Sequence, residues 1–261
     1  SPAEIMMLRF FFFYLCLLPF KRGRWLCENW RDEAQMMLLG ITGGSAYFLL
    51  ENTALLYTQA SNVGIIIAVT PLLTTLAIHL VSRQESVPRK LYRYSLLSLA
   101  GVALVVFNGE FVLRLNPLGD ILTLGAAVMW VIYSIIVLPR QGRYSSLMIT
   151  RKVFFYGVLT ILPYYLIIPG WPAWDVFMKP QVVGNLLFLG CLASMICFLT
   201  WNWCISKLGA VKATNWVYFN PITTMIFASL VLDEKITPYF LAGACCILAG
   251  MYIADRMTKS E

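Results

Sequence analysis

Charge is scarce in this sequence: Asp, Glu, Lys and Arg make up 13% of its 261 residues, against 59% hydrophobic side chains. Soluble domains carry about 25% charged residues, so this chain lacks the means to build a water-facing surface. Histidine is nearly absent, with His79 alone, which excludes a multi-histidine metal site. The H-E-x-x-H and G-x-S-x-G signatures are missing, and so are paired aspartates within an apolar run. The seven cysteines (Cys16, Cys27, Cys191, Cys197, Cys204, Cys245 and Cys246) form no C-x-x-C pair and are odd in number. Nearly all of them sit inside apolar runs, as small hydrophobes do. No long hydrophilic stretch leaves room for a soluble catalytic domain. These absences argue against an enzyme, a metal centre or a cofactor, and they leave lipid as the main solvent.

What is present is apolar and continuous. A bilayer-spanning helix needs about 20 mostly apolar residues. The sequence holds nine such stretches, near residues 4–20, 35–57, 62–82, 91–108, 118–138, 147–168, 182–206, 211–232 and 236–254. An outer-membrane barrel would instead alternate over ten-residue strands, so the predicted fold class is an all-α integral membrane bundle. The net charge of +7 is no nucleic-acid footprint, because the basic residues gather on every second connection. Lys21, Arg22, Arg24 and Arg31 follow the first stretch, and Arg83, Arg89, Lys90 and Arg93 follow the third. Arg140, Arg143, Arg151 and Lys152 surround the turn after the fifth; Lys207 and Lys212 flank the turn after the seventh; Arg256 and Lys259 follow the ninth. The intervening connections hold only Arg114, Lys179 and Lys235. Cytoplasmic loops collect Lys and Arg in this way. The pattern predicts a multi-pass protein of a bacterial inner (cell) membrane, with its C-terminal tail, 256–261, in the cytoplasm.

The chain also repeats itself. At a constant offset of 150, GITGGSAYFLLEN at 40–52 lies on GCLASMICFLTWN at 190–202 without a gap. Gly40 meets Gly190, Phe48 meets Phe198, and Asn52 meets Asn202; the same register pairs Pro71 with Pro221 and Thr74 with Thr224. After one deletion the offset becomes 149, pairing Glu85 with Glu234 and the Leu-Ala-Gly triplets ending at Gly101 and Gly250. The matched stretches are the second and the seventh, and this odd spacing gives the halves opposite topology. Inverted repeats are a recurring transporter architecture with the substrate near the midplane. The expected halves are 1–115, with four helices, and 116–255, with five. The repeat therefore leads us to expect a first helix ahead of Ser1 and a ten-helix protein, nine of whose helices are in this sequence.

Three segments carry a family resemblance. LLYTQASN at 55–62, followed by Pro71 and Glu85, is echoed by ISKLGAVKA at 205–213, followed by Pro221 and Glu234; GACCILAG closes the series at 243–250. Together they resemble the duplicated signature of the EamA family, within the drug/metabolite transporter superfamily. The resemblance covers nearly the whole chain. It implies a secondary transporter that exports small metabolites, amino acids or related compounds among them, across the inner membrane. Alternating access of the two halves is the expected mechanism, with proton coupling as one option. An uncoupled facilitator or channel for small solutes stands as the alternative, as does an exchanger of phosphorylated metabolites. The last is disfavoured because the mid-membrane portions lack Lys and Arg.

Glu51 is the most informative candidate, since it lies inside an apolar stretch about six residues from its outer end. Ionisable groups at the centre of a spanning helix cost about 2.5–3.5 kcal/mol on insertion scales, so Glu51 is expected to face a cavity or a partner. It is a candidate proton carrier or an anchor for a substrate amine; a structural role, satisfied by neighbouring hydroxyls or amides, is the competing reading. Tyr47 shares its helical face, and Trp201 is its repeat mate. Asn52 and Asn202 are expected to make interhelical hydrogen bonds or substrate contacts. Asn215 and Tyr218, one turn apart, join the expected cavity lining, with Trp130 and Tyr133 as further candidates. Pro71 and Pro221 are expected to kink their helices, each freeing the carbonyl four residues earlier. Arg9, aligned with Arg151, is expected to snorkel to a membrane surface.

Overall fold

The computed structural model describes residues 2–17, 26–81, 90–107, 116–167, 179–232 and 236–257. Lys21, Arg22, Arg24, Arg83, Arg89, Arg114, Lys235, Lys259, Glu85 and Glu234 of the sequence reading lie outside them. Within the described residues the chain is helical, and each expected apolar stretch coincides with a helix or a run of consecutive helices. The first is α1 (Pro2–Leu17). The second runs through α2 (Trp30–Gly40), a π-helical turn (Ile41–Ser45) and α3 (Ala46–Ala54). Then come α4 (Ala60–Ile67) with α5 (Thr70–Val81), α6 (Leu91–Phe107), and α7 (Pro117–Val137) with a 3-10 turn (Leu138–Arg140). The later stretches are α8 (Ser146–Ile167), then α9 (Pro180–Leu187) with a second π-helical segment (Phe188–Ile196) and α10 (Cys197–Leu208). They continue with α11 (Ala210–Asn215), a 3-10 turn (Trp216–Phe219) and α12 (Asn220–Leu232), and end at α13 (Pro238–Met257). Among the described residues, five spans are long and apolar enough to cross a membrane: Asn62–Val81, Pro117–Arg140, Ser146–Tyr164, Pro180–Leu208 and Pro238–Met257. Large apolar side chains such as Leu80, Ile121, Leu187 and Leu241 are exposed along these helices, as a lipid solvent requires.

Local chemistry explains where the helices start and break. Proline opens α1, α7, α9 and α13, the first helical position, where its missing N–H has no partner to lose. Before α7, Asn116 and Asp120 bond reciprocally to the backbone: Gly119 N–H donates to Asn116 Oδ1 and Asn116 N–H to Asp120 Oδ2. Gly209, at φ +83°, takes the backbone conformation that ends α10 and lets α11 begin one residue later. The prolines expected to act as kinks each sit in the first turn of a new helix. Pro71 follows the break between α4 and α5; Pro221 follows the 3-10 turn between α11 and α12.

The chain divides into two compact units, one comprising residues 1–52 and 136–207 and the other 53–135 and 208–261. Each takes helices from both halves of the sequence. In the first unit, Phe10, Phe13, Met36, Leu39, Ile149 and Phe154 are buried, and glycines bring the helices close. A Cβ on Gly157 would lie 2.9 Å from the Phe10 ring, and one on Gly44 3.3 Å from it. The rings of Phe10 and Phe48 are 5.5 Å apart, those of Phe154 and Phe198 5.1 Å, and Phe48 itself meets Phe198 at 6.3 Å.

In the second unit, α6 packs along α13, with Val102, Val105, Tyr218, Ile222, Phe240 and Ile247 in its core. A Cβ on Gly101 would lie 2.6 Å from the Gly243 carbonyl oxygen, and one on Gly250 2.7 Å from that of Tyr94. Exchanging each residue for its counterpart at the sequence offset of 149, Gly101 for Gly250 and Gly243 for Tyr94, turns the first of these contacts into the second. Between them, Ser98 Oγ donates to the Ile247 carbonyl at 3.5 Å, joining two residues that the same offset makes counterparts.

Candidate functional site

In the first unit the candidates stand on α3 and α10, each directly after a π-helical turn. Such turns add one residue to a helix, rotate the turns beyond them, and occur frequently at functional sites. Small and polar residues line both: Thr42, Gly43, Gly44 and Ser45 in one, Gly190 and Ser194 in the other. Ser194 Oγ donates to the carbonyl five residues back, on Leu189, at 2.8 Å. Tyr47 and Glu51, one turn apart on α3, are joined by a hydrogen bond: the tyrosine O–H donates to Glu51 Oε1 at 3.0 Å. Both are half-buried, as are Asn52 and Trp201. Asn202 is fully buried and links helices, donating to Thr150 Oγ1 at 3.0 Å and accepting from Gln141 Nε2 at 3.5 Å.

Arg9 is not where the sequence reading puts it. Instead of snorkelling to a surface it is 8% exposed, halfway along α1. Its guanidinium carbon lies 4.1 Å from the centre of the Phe48 ring and 5.4 Å from that of Phe10. The aromatic faces attract the cation and pack against its stem. The expectation of no cation in the mid-membrane portions is therefore corrected. A single charge in an apolar run reads as a snorkelling side chain until the ring above it, contributed by another helix, is known.

A second polar cluster was not anticipated. Lys152 Nζ and the Tyr156 hydroxyl both donate to Glu33 Oε1, while Cys27 N–H donates to Glu33 Oε2 at 2.9 Å. Beside it the Tyr144 hydroxyl donates to Asp32 Oδ2 at 2.7 Å, and Arg143 bridges Asp32 and Glu28, each at 3.0 Å. Glu33 lies two residues outside the expected span at 35–57. Burial pushes its carboxyl up, but the Lys152 and Tyr156 hydrogen bonds and the Cys27 amide outweigh this and hold it at about 2. Burial and the Asp32 carboxylate push the Tyr144 hydroxyl up to about 12. Two acidic residues in the first turn of α2 are the legible signal, since the helix dipole favours them there.

In the second unit a cavity of about 580 Å³ is lined by Ser95, Lys212, Asn215, Trp216, Tyr252 and Asp255, among others. Of the candidates, Asn215 reaches it and also donates to the Met251 carbonyl at 3.5 Å. Tyr218 is placed in the apolar core instead, fully buried. Trp130 and Tyr133 stack at 5.2 Å, the tyrosine fully buried. Among the described residues no cluster of three His, Cys, Asp or Glu side chains is arranged to hold a metal.

Long apolar helices with large apolar side chains exposed along them mark a multi-pass membrane protein. The chain belongs to the EamA-like transporter family, which matches residues 1–107 and 117–254. It is 28% identical over 220 residues to an "uncharacterized transporter" of Archaeoglobus fulgidus, covering 84% of this chain and 74% of that one. It is 25% identical over 228 residues to a "probable terminal-alkyne amino-acid exporter" of Streptantibioticus cattleyicolor, covering 87% and 75%. A "probable amino-acid metabolite efflux pump" of Escherichia coli is 25% identical over 171 residues, 59% of this chain and 56% of that one. The fold is shared with a crystal structure at a TM-score of 0.79, 18% identical, over 97% of this chain and 88% of the other.

Proposed function

We propose that this protein exports small metabolites, amino acids or related compounds, across the inner membrane, by alternating access of two inverted halves and with Glu51 as the coupling carboxylate. The observation that carries the reading is the Tyr47–Glu51 hydrogen bond within an apolar stretch. It gives a carboxylate in a lipid-facing protein a local partner while leaving it half-open to a ligand or a proton. Relatives named as an amino-acid exporter and an amino-acid metabolite efflux pump support the substrate class.

The repeat gains support from contacts between counterparts. Phe48 touches Phe198, Ser98 touches Ile247, and the Gly101–Gly243 contact is mirrored by Gly250–Tyr94. In this reading the protein crosses the membrane nine times over the sequence, with residues 1–115 and 116–255 as its halves and its C-terminus in the cytoplasm. Phe10 against Phe48 and Phe154 against Phe198 make matching contacts with a pair of counterparts, which supports the same reading.

A proton moved through a potential of about 100 mV contributes roughly 2.3 kcal/mol, enough for a gradient of about fifty-fold. The test is efflux of labelled amino acids from proteoliposomes with and without an imposed pH gradient. Gradient-driven efflux is expected in the wild type and absent in Glu51→Gln. Efflux indifferent to both the gradient and the substitution leaves a facilitator and ends the coupling role.

A further inference from the structure

Arg9 and Glu51 are opposite charges in one compact unit: Arg9 lies 4.1 Å from the ring of Phe48, three residues before Glu51 on α3, yet they form no ion pair. Ion pairs among the described residues join Arg143 to Glu28 and to Asp32, and Lys152 to Glu33. Glu51 takes its hydrogen bond from Tyr47. Arg9 Nε and Nη2 make none, although the residue is 8% exposed. These two nitrogens form one edge of the guanidinium, the side-on fork that grips a carboxylate through two parallel hydrogen bonds. A buried fork without an acceptor, in the same unit as a carboxylate it does not touch, is an arrangement that a bridging group would relieve.

We propose that Arg9 and Glu51 are the two ends of a site for a zwitterionic ligand, Arg9 holding its carboxylate and Glu51 its ammonium. The inference rests on the export reading and assigns its substrate class: free α-amino acids and compounds that keep both charged groups. Phe48 and Phe10 line the Arg9 end, where the stem of a small ligand can pack. The half-buried Tyr47, Glu51 and Asn52 leave the other end accessible. A phosphate dianion fits less well, because one cation would have to balance it beside the Glu51 carboxylate. A simple amine would satisfy Glu51 and repel Arg9. A zwitterion neutralises both ends.

The test is competition binding to the purified full-length protein in detergent, with labelled alanine, leucine, threonine and phenylalanine as probes. Each is challenged by itself, its methyl ester and its N-acetyl derivative. For the wild type, removing either charge is expected to weaken competition at least tenfold. Arg9→Gln is expected to bind the free acid at least tenfold more weakly while leaving the methyl ester unchanged; Glu51→Gln should weaken the free acid by as much while leaving the N-acetyl derivative unchanged. Arg9→Lys, which keeps the charge but loses the fork, should fall between. A wild type that binds an amino acid and its methyl ester equally overturns this inference and leaves export intact, and needs no variant that folds. Failure of the wild type to bind any of the four probes overturns this inference together with amino acids as the exported class.

Discussion

At the scale of single residues, Glu33 ties the stability of the fold to pH. Its carboxyl sits at about 2 in the folded protein, below the ordinary value of 4.5. A lowered folded value means that the unfolded chain binds the proton more readily. The stabilisation is thus complete above pH 4.5 and is lost as the pH falls towards 2. Wild-type melting temperature is expected to drop across that window more steeply than that of Glu33→Gln; parallel curves would assign the acid sensitivity to another group. At neutral pH the variant should already be weaker by about 3–5 kcal/mol, because Lys152 keeps its charge in a buried place without a carboxylate. None of this was visible in the sequence beyond two acids at a helix start. Arg9 was hidden for a related reason. Its burial depends on Phe48, 39 positions along the chain, and no local pattern encodes that meeting.

At the scale of elements, far more was legible. Long apolar runs have to become helices in lipid, where every backbone group needs an internal partner, so the helical stretches follow from hydropathy alone. The prolines also marked real breaks, though they open new helices rather than bend continuous ones. The π-helical turns were not foreseen, because one extra residue barely disturbs an apolar run. Glycine packing yields a paired prediction. Gly101→Val and Gly250→Val each drive a side chain into the carbonyl of the facing helix, at 2.6 and 2.7 Å for the Cβ alone. Overpacking of this kind costs about 1–3 kcal/mol, and the two variants should lose thermal stability by similar amounts. Gly184→Val meets no atom within 4 Å and serves as the control. Pro71→Ala and Pro221→Ala are expected to slow transport with little change in substrate affinity. A change in affinity alone would place the prolines in the binding site instead.

At the scale of the whole molecule, the charge pattern and the repeat carry the sequence reading. The topology they imply is open to direct measurement. In a cysteine-free background, Lys179→Cys is expected to react with an impermeant maleimide from outside, and Lys207→Cys only after the membrane is opened. The reverse labelling would invert the protein. What the sequence could not reveal is the grouping of helices into units, since contacts between helices far apart in the chain leave no periodic trace. Nor did it show Tyr218 in an apolar core while Asn215, three residues earlier, reaches a cavity.

That grouping bears on how such a protein can be taken apart. Because both compact units draw on both halves, a gene cut within residues 108–115 yields two polypeptides, neither of which contains a finished unit. Expressed alone, each is expected to be degraded; expressed together, each supplies the helices the other is missing. On the inverted-repeat proposal the chain would act as a tethered heterodimer, the connection between its halves securing equal supply of the two partners.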